Sequence, residues 1–319
     1  MITHPPRYAA RLNAFQVKGG SVAEMIRGAG QVGGLTAADL NFPDHFQGHT
    51  PAQVKAMLAD HGLALNGLAM RYYTDPGFRL GAFTHPDPKV RRAAIDLTKL
   101  GIDACAAMGG QIMTLWMGQD GFDYSFQVDY DRLWDLTLEA IAEVADHHPG
   151  VDIALEYKPN EPRAFALMPD MGATLLALRE VNRRNTGVTL DFAHVLYAGE
   201  MPAQAAQMAA RHSRILGVHL NDGYGKRDDG LMAGSVHPVQ VVELFVELAR
   251  ARYDGVIYFD TFPDHSGLNP VDEARENIRL TNRLREIAAR LVNESALAEA
   301  QARQDAAATN RIVTQALFG

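Results

Sequence analysis

Short apolar runs alternate along this chain with longer segments in which apolar residues recur every three to four positions. The short runs fall at 11–15 (RLNAF), 35–41 (LTAADLN), 63–70 (LALNGLAM), 111–116 (QIMTLW), 151–157 (VDIALEY), 187–192 (GVTLDF), 215–220 (ILGVHL) and 255–260 (GVIYFD). Helical period is clearest at 88–108, 131–147, 202–212 and 238–250. Strand-like runs separated by amphipathic helices predict βαβ units and a parallel sheet. Eight of them predict an α/β protein built as a closed (β/α)8 TIM barrel. An open doubly wound sheet is the alternative, but the Gly-x-Gly-x-x-Gly turn that would follow its first strand is absent. Gly109–Gly110 and Gly150 read as helix stops ahead of the fourth and fifth strands.

The pattern changes near residue 270 to long, Ala- and Arg-rich helix, with Leu280, Leu284, Ile287 and Leu291 on one stripe. The expected organisation is a barrel over 1–270 and, over 271–319, a helical arm that packs on a neighbouring subunit of a homodimer or homotetramer. The plainer alternative makes the stripe the last barrel helix.

Composition narrows the picture. The chain has 319 residues, 47% of them hydrophobic and 21% charged, as an ordinary soluble globular protein does. A formal net charge of −8 argues against general nucleic-acid binding, which needs clustered Lys and Arg. The single cysteine, Cys105, permits no intrachain disulfide and suits a reducing cytoplasm. The opening MITHPPRYAARLNAF lacks the basic-then-apolar pattern of a secretory signal. No apolar run reaches the length of a membrane span.

The chemistry is expected at the C-terminal ends of the strands. The last four predicted strands end in Glu156, Asp191, His219 and Asp260. A lone Asp after a strand usually caps a helix; four metal-competent groups at one height of a barrel converge on a point, which caps need not do. Carboxylates with imidazole suit Mg, Mn or Co better than a thiolate-rich structural zinc site. His194 lies three residues after Asp191 and is placed to reach a neighbouring ion. Asp228 and Asp229, in DGYGKRDDGLMAG, close that second ion's shell or form a solvated turn. Lys158 shares a strand face with Glu156 and either polarises a substrate oxygen or neutralises the acids.

At EYKPNEPR (156–163) the sequence resembles the xylose isomerase superfamily, whose fifth strand carries a similar Glu-x-Lys-Pro-Asn-Glu-Pro-Arg stretch. LWMGQDG (115–121), GVHLND (217–222), YDGVIYFDTFP (253–263) and the tail with AQARQDAAATN resemble further segments of that family, from strand four onward. The resemblance implies a metal held by Glu156, Asp191, His219 and Asp260, and a catalytic metal held by His194 and Asp228. It also implies Lys158 and Asn221 at the sugar and Trp116 as an apolar wall on its C–H face. Asp191 and His219 depart from xylose isomerase and fit the rhamnose isomerase branch. The family's ring-opening His has no single match among Asp39, Asn41, Asp44 and His45.

The expected function is therefore metal-dependent aldose–ketose isomerisation by hydride shift on an open-chain sugar, with two divalent ions (Mn, Co or Mg). The nearest rival is a one-metal ketose 3-epimerase working through an enediol; an apurinic endonuclease and a non-catalytic sugar-binding barrel are further rivals. Sugar specificity is expected from Asn13, Arg71, Tyr72 and Gln119.

Overall fold

The computed structural model describes residues 6–16 and 20–319. Eight parallel strands close on themselves: β1 (Tyr8–Arg11), β2 (Ala37–Phe42), β3 (Ala64–Met70), β4 (Ile112–Leu115), β5 (Asp152–Glu156), β6 (Thr186–Asp191), β7 (Ile215–Leu220) and β8 (Ile257–Phe259). β1 pairs with β2 on one side and β8 on the other, with Tyr8 opposite Ile257, so the sheet has no free edge. The expected barrel is the observed one. The first residues of MITHPPRYAARLNAF, read above for a secretory signal, lie outside the described ones up to residue 5.

Each strand returns through an outer helix: α1 (Val22–Gly30), α2 (Pro51–Asp60), α3 (Pro88–Met108), α4 (Tyr130–His147), α5 (Met171–Val181), α6 (Pro202–His212), α7 (Pro238–Arg250) and α8 (Pro270–Leu291). Starts are set locally. Asp87, Asp129 and Asp170 accept backbone N–H bonds at the first turns of α3, α4 and α5. α3 stops at Gly109, whose φ of 85° lies in the left-handed region that glycine adopts without penalty.

One expectation is corrected here. The run 11–15 is not the first strand, which lies at Tyr8–Arg11; Leu12–Phe15 is a single 3-10 turn. That turn buries Leu12, Ala14 and Phe15, so the same apolar run satisfies the core without extending the sheet.

The segment expected as an arm divides. α8 lies beside α7 and α1 and completes the outer ring. Its Leu284, Ile287 and Leu291 are buried in the chain's own core and Leu280 is half-buried, as the plainer alternative had it. Two shorter helices follow, α9 (Ser295–Ala302) and α10 (Ala306–Phe318), and α10 has no buried residue. No described helix is long and apolar enough to cross a membrane.

Candidate metal centre

Register explains why four ligand-type side chains meet. Along β6 and β7 the pairing shifts by one residue between Val188 and Thr189. Side chains alternate faces along a strand, so that shift decides which residue of β7 faces inward beside β6. Beyond it Asp191 stands opposite His219; the unshifted register would have placed Val218 there. Gly217 permits the close approach, since a Cβ at that position would sit 2.9 Å from Thr189 Oγ1. Tyr258 of β8 pairs with His219, and Asp260 follows two residues on, on the same face.

Glu156, Asp191, His219 and Asp260 each place one ligand atom so that all four atoms lie within 4.8 Å of one another. Glu156, Asp191 and His219 are buried and Asp260 nearly so. His219 Nδ1 lies 3.2 Å from Glu156 Oε1, and 3.9 Å from both Asp191 Oδ2 and Asp260 Oδ2. Asp191 also does what a lone strand-end Asp does: its Oδ1 accepts from His194 N at 2.9 Å and caps the short helix Phe192–Tyr197. Here a cap and a ligand-type carboxylate are the same residue.

The electrostatics fit a cation. Burial lifts the Asp191 carboxyl above its usual range. Burial pushes Asp260 up to about 7 against the pull of His219, and its acidic neighbours add to the rise. Glu156 goes the other way, because His219 and His194 outweigh burial. Burial lowers the basicity of His219, yet Glu156, Asp260 and Asp191 override it and raise the imidazole to about 9. The acids thus collect positive charge wherever they find it. Asp260 Oδ1, His194 Nδ1 and Asp228 Oδ1 are buried with no hydrogen-bond partner among the described residues. Orphaned buried polar atoms in a set of hard oxygen and imidazole donors fit a divalent metal ion.

A second group adjoins the first. His194 Nδ1 lies 3.5 Å from Glu156 Oε1, and its Nε2 lies 3.2 Å from Asp228 Oδ2. Burial works against its charge, but Asp191, Asp228 and Glu156 raise it to about 10. Asp228 Oδ2 is also 3.3 Å from Lys158 Nζ, and Lys158 meets Glu161 at 2.8 Å. Charges therefore alternate from Glu156 through His194, Asp228 and Lys158 to Glu161. Lys158 is buried and lies 5.2 Å from the centre of the Trp116 ring. Burial disfavours its charge, but Asp228 and Glu161 keep the ammonium more basic than usual.

Other expected residues lie elsewhere. Asp229 turns away: it accepts from Tyr224 N at 2.8 Å and pairs with Arg227 at 2.7 Å, closing its own loop. Asn221, expected at the substrate, is fully buried. It accepts from Ala193 N and donates to Asp191, so it orients that carboxylate from behind. Tyr72 is a core residue hydrogen-bonded to Thr98 and 1% exposed, so it is no specificity contact. Gln119 is buried, with its carbonyl accepting from Arg163. Asn13 accepts from the Asn41 side chain, and Asp39 accepts from Asn66.

Two participants were missed. Arg11, the last residue of β1, lies 3.8 Å from Asp260 and pairs with Asp264 at 2.8 Å. Its position at a strand's C-terminal end was the available signal, hidden by the misplaced first strand. Glu161, within EYKPNEPR, is the other: it pairs with Lys158 at 2.8 Å.

Xylose isomerase of Thermus thermophilus is 31% identical to this chain over 212 residues, which are 65% of this chain and 55% of that protein. The chain spans about half the length of the curated relatives it matches. Among solved structures, a xylose isomerase domain protein from Alicyclobacillus acidocaldarius superposes with a TM-score of 0.67 at 19% identity, over 89% of this chain and 100% of that one. D-allulose 3-epimerase from Methylomonas sp., in complex with D-allulose, superposes with a TM-score of 0.68 at 20% identity, over 87% and 96%. At such identities these two structures speak for the fold. The family described as xylose isomerase-like TIM barrel matches residues 21–284, which include the candidate centre apart from Arg11, and the chain belongs to that family.

Proposed function

We propose that this protein is a metal-dependent sugar isomerase that interconverts an open-chain aldose and its ketose by hydride shift. The observation that carries the reading is the buried Lys158 ammonium, set beside the carboxylate cluster and against the Trp116 ring. Glu156, Asp191, His219 and Asp260 would hold one divalent ion, and His194 with Asp228 would help hold a second. Bound cations of this class supply Lewis-acid polarisation of sugar oxygens.

The chain's own residues do the rest. Lys158 donates a hydrogen bond to the carbonyl oxygen, where negative charge grows as the hydrogen on C2 moves with its electron pair to C1. The O2 hydroxyl loses its proton as C2 becomes the new carbonyl, and O1 gains one. Asp228 Oδ1, which has no hydrogen-bond partner among the described residues, would carry that proton. His194 and Lys158 keep Asp228 ionised against the opposing effect of burial. Trp116 covers the C–H face and excludes water, which keeps the migrating hydrogen from exchanging.

Glu156 and Asp260 belong to one cluster, which also suits a proton shuttle across a carbon in an enediol epimerase. A single experiment separates the two chemistries. The protein is stripped with chelator, reloaded with Mn, Co or Mg, and incubated in D2O with a panel of aldoses and ketoses followed by NMR. Aldose–ketose conversion without deuterium on carbon is the expected result. Deuterium at the reacting carbon would transfer the assignment to epimerase-type chemistry, and binding without conversion would remove both.

We also infer a homodimer or homotetramer joined through α9 and α10, supported by the incomplete cover of α10, whose Ile312, Val313, Ala316 and Leu317 are only half-buried against the chain's own core, and by Phe318, which is 82% exposed. Sedimentation equilibrium is expected to show an oligomer for the chain and a monomer after deletion of residues 304–319. A monomer in both cases would end that inference.

A further inference from the structure

Arg71 follows β3 at the same end of the barrel as the candidate centre. Its side chain is only 18% exposed, and its guanidinium lies 4.2 Å from the centre of the Tyr73 ring. Tyr73 meets Trp116 edge-on at 4.9 Å, and Trp116 carries Lys158 on its face. Arg71 and Lys158 therefore stand at opposite ends of one aromatic wall.

The two cations are equipped differently. Lys158 has two carboxylates within 3.3 Å. Arg71 Nε is buried with no acceptor, and the one carboxylate near it among the described residues, Asp44, is 4.0 Å away, outside hydrogen-bond reach. Arg11, the neighbouring arginine, is by contrast committed to Asp264.

A second donor, whose ring feels the Arg71 charge, is also orphaned among the described residues. His45 is buried in the loop after β2, and its Nδ1 accepts from Asn41 N at 3.0 Å. That bond leaves the ring proton on Nε2, which is buried with no acceptor among the described residues. Burial, with the charges of Arg71 and Arg11, pushes His45 down to about 3, so it stays neutral at any working pH. Two buried donors from adjacent loops thus lack acceptors among the described residues, and the carboxylate beside Arg71, Asp44, stays 4.0 Å away. Buried donors are normally satisfied, and a guanidinium is shaped for the paired oxygens of a carboxylate or phosphate.

We infer that Arg71, assisted by His45, receives an anionic group at the end of the substrate remote from the reacting carbonyl, so that the substrate is a sugar bearing a carboxylate or a phosphate. This deepens the proposed isomerase reading and rests on it for the identity of the reacting end.

The test uses a panel of pentoses and hexoses, each as the neutral sugar, the sugar acid and the terminal phosphate. Binding to the metal-loaded protein is followed by calorimetry and turnover by NMR. At least one anionic member is expected to bind roughly 10- to 100-fold more tightly than its neutral partner. The acid and phosphate arms identify which anion is meant. Arg71→Gln is expected to erase the preference by raising KM with little change in kcat, because the contact is remote from the reacting carbons. Arg71→Lys is expected to restore part of it, and melting curves of both variants report folding. If no anionic sugar binds better than its neutral partner, or if Arg71→Gln keeps the preference, the inference is overturned. Anion-selective binding without turnover of any sugar would instead remove the isomerase reading and leave the subsite standing.

Discussion

Replacing His194 with Asn is expected to lower kcat by about a hundred- to a thousand-fold while leaving the melting temperature of the metal-loaded protein nearly unchanged. The separation follows from what each part of the residue does. The backbone N–H of residue 194 accepts no change on substitution, and it is this group that Asp191 Oδ1 caps at 2.9 Å. The short helix Phe192–Tyr197 therefore keeps its start. The imidazole alone bridges the two halves of the centre, 3.5 Å from Glu156 and 3.2 Å from Asp228. Without it Asp228 keeps only Lys158 as a partner, and Lys158 is drawn toward the carboxylates and away from a sugar oxygen. Steady-state kinetics and thermal melting on the same preparations check the prediction. Parallel losses of turnover and stability would mean that His194 holds the loop together and has no part in the reaction.

Metal affinity is expected to rise with pH by roughly one to two log units per pH unit across the neutral range. In the cation-free protein His194 and His219 are raised to about 10 and about 9, far above an ordinary imidazole. Both are therefore protonated at pH 7, and a metal ion binds only the neutral ring. Loading must eject those protons, so acid opposes it and base favours it. Calorimetry in two buffers of different ionisation enthalpy counts the protons released, and an affinity independent of pH would remove the two histidines from the ligand set.

The same shifts fix the sign for stability without metal. A raised folded-state pKa contributes stability that is fully present below the unfolded value and is lost as pH climbs through the folded one. The stripped protein should thus weaken from about pH 4 to 7 as Asp260 ionises, and on to about pH 10 as the two imidazoles discharge. The loaded protein, whose cation replaces those protons, should not.

Much of the barrel and the centre of the site could be read from residue order. α3, α6 and α7 begin and end where periodicity placed them, because Asp87 with Pro88, Pro202 and Pro238 mark their starts locally. Glu156, Asp191, His219 and Asp260 were legible because a barrel brings the ends of consecutive strands to one height. α1 and α2 were not singled out, although SVAE and TPAQ are capping-box sequences that form as such. Side-chain direction at loops was the least legible quantity. Asp228 and Asp229 are adjacent and identical in type, yet one faces His194 and the other closes a turn on Arg227. Only packing decides between them. Asn221 shows the same limit: a buried amide that orients a carboxylate has the same letter as one that touches a sugar. The one-residue shift that brings His219 inward left a trace only in the glycine at 217.

The pairing of β1 with β8 joins residues nearly the whole chain apart, Tyr8 to Ile257, and α8 seals the joint through Tyr8 Oη on Asn282 and Arg275 on the Val32 carbonyl. During synthesis the first strand must wait, with one flank bare, until the last strand and the helix behind it have left the ribosome. A nascent chain arrested before residue 257 would carry two open flanks, on β1 and β7, with no way to close a smaller ring. Such an intermediate invites pairing with its neighbours on a polysome. The same seam that leaves the finished barrel without an edge makes its unfinished form the stage most exposed to aggregation.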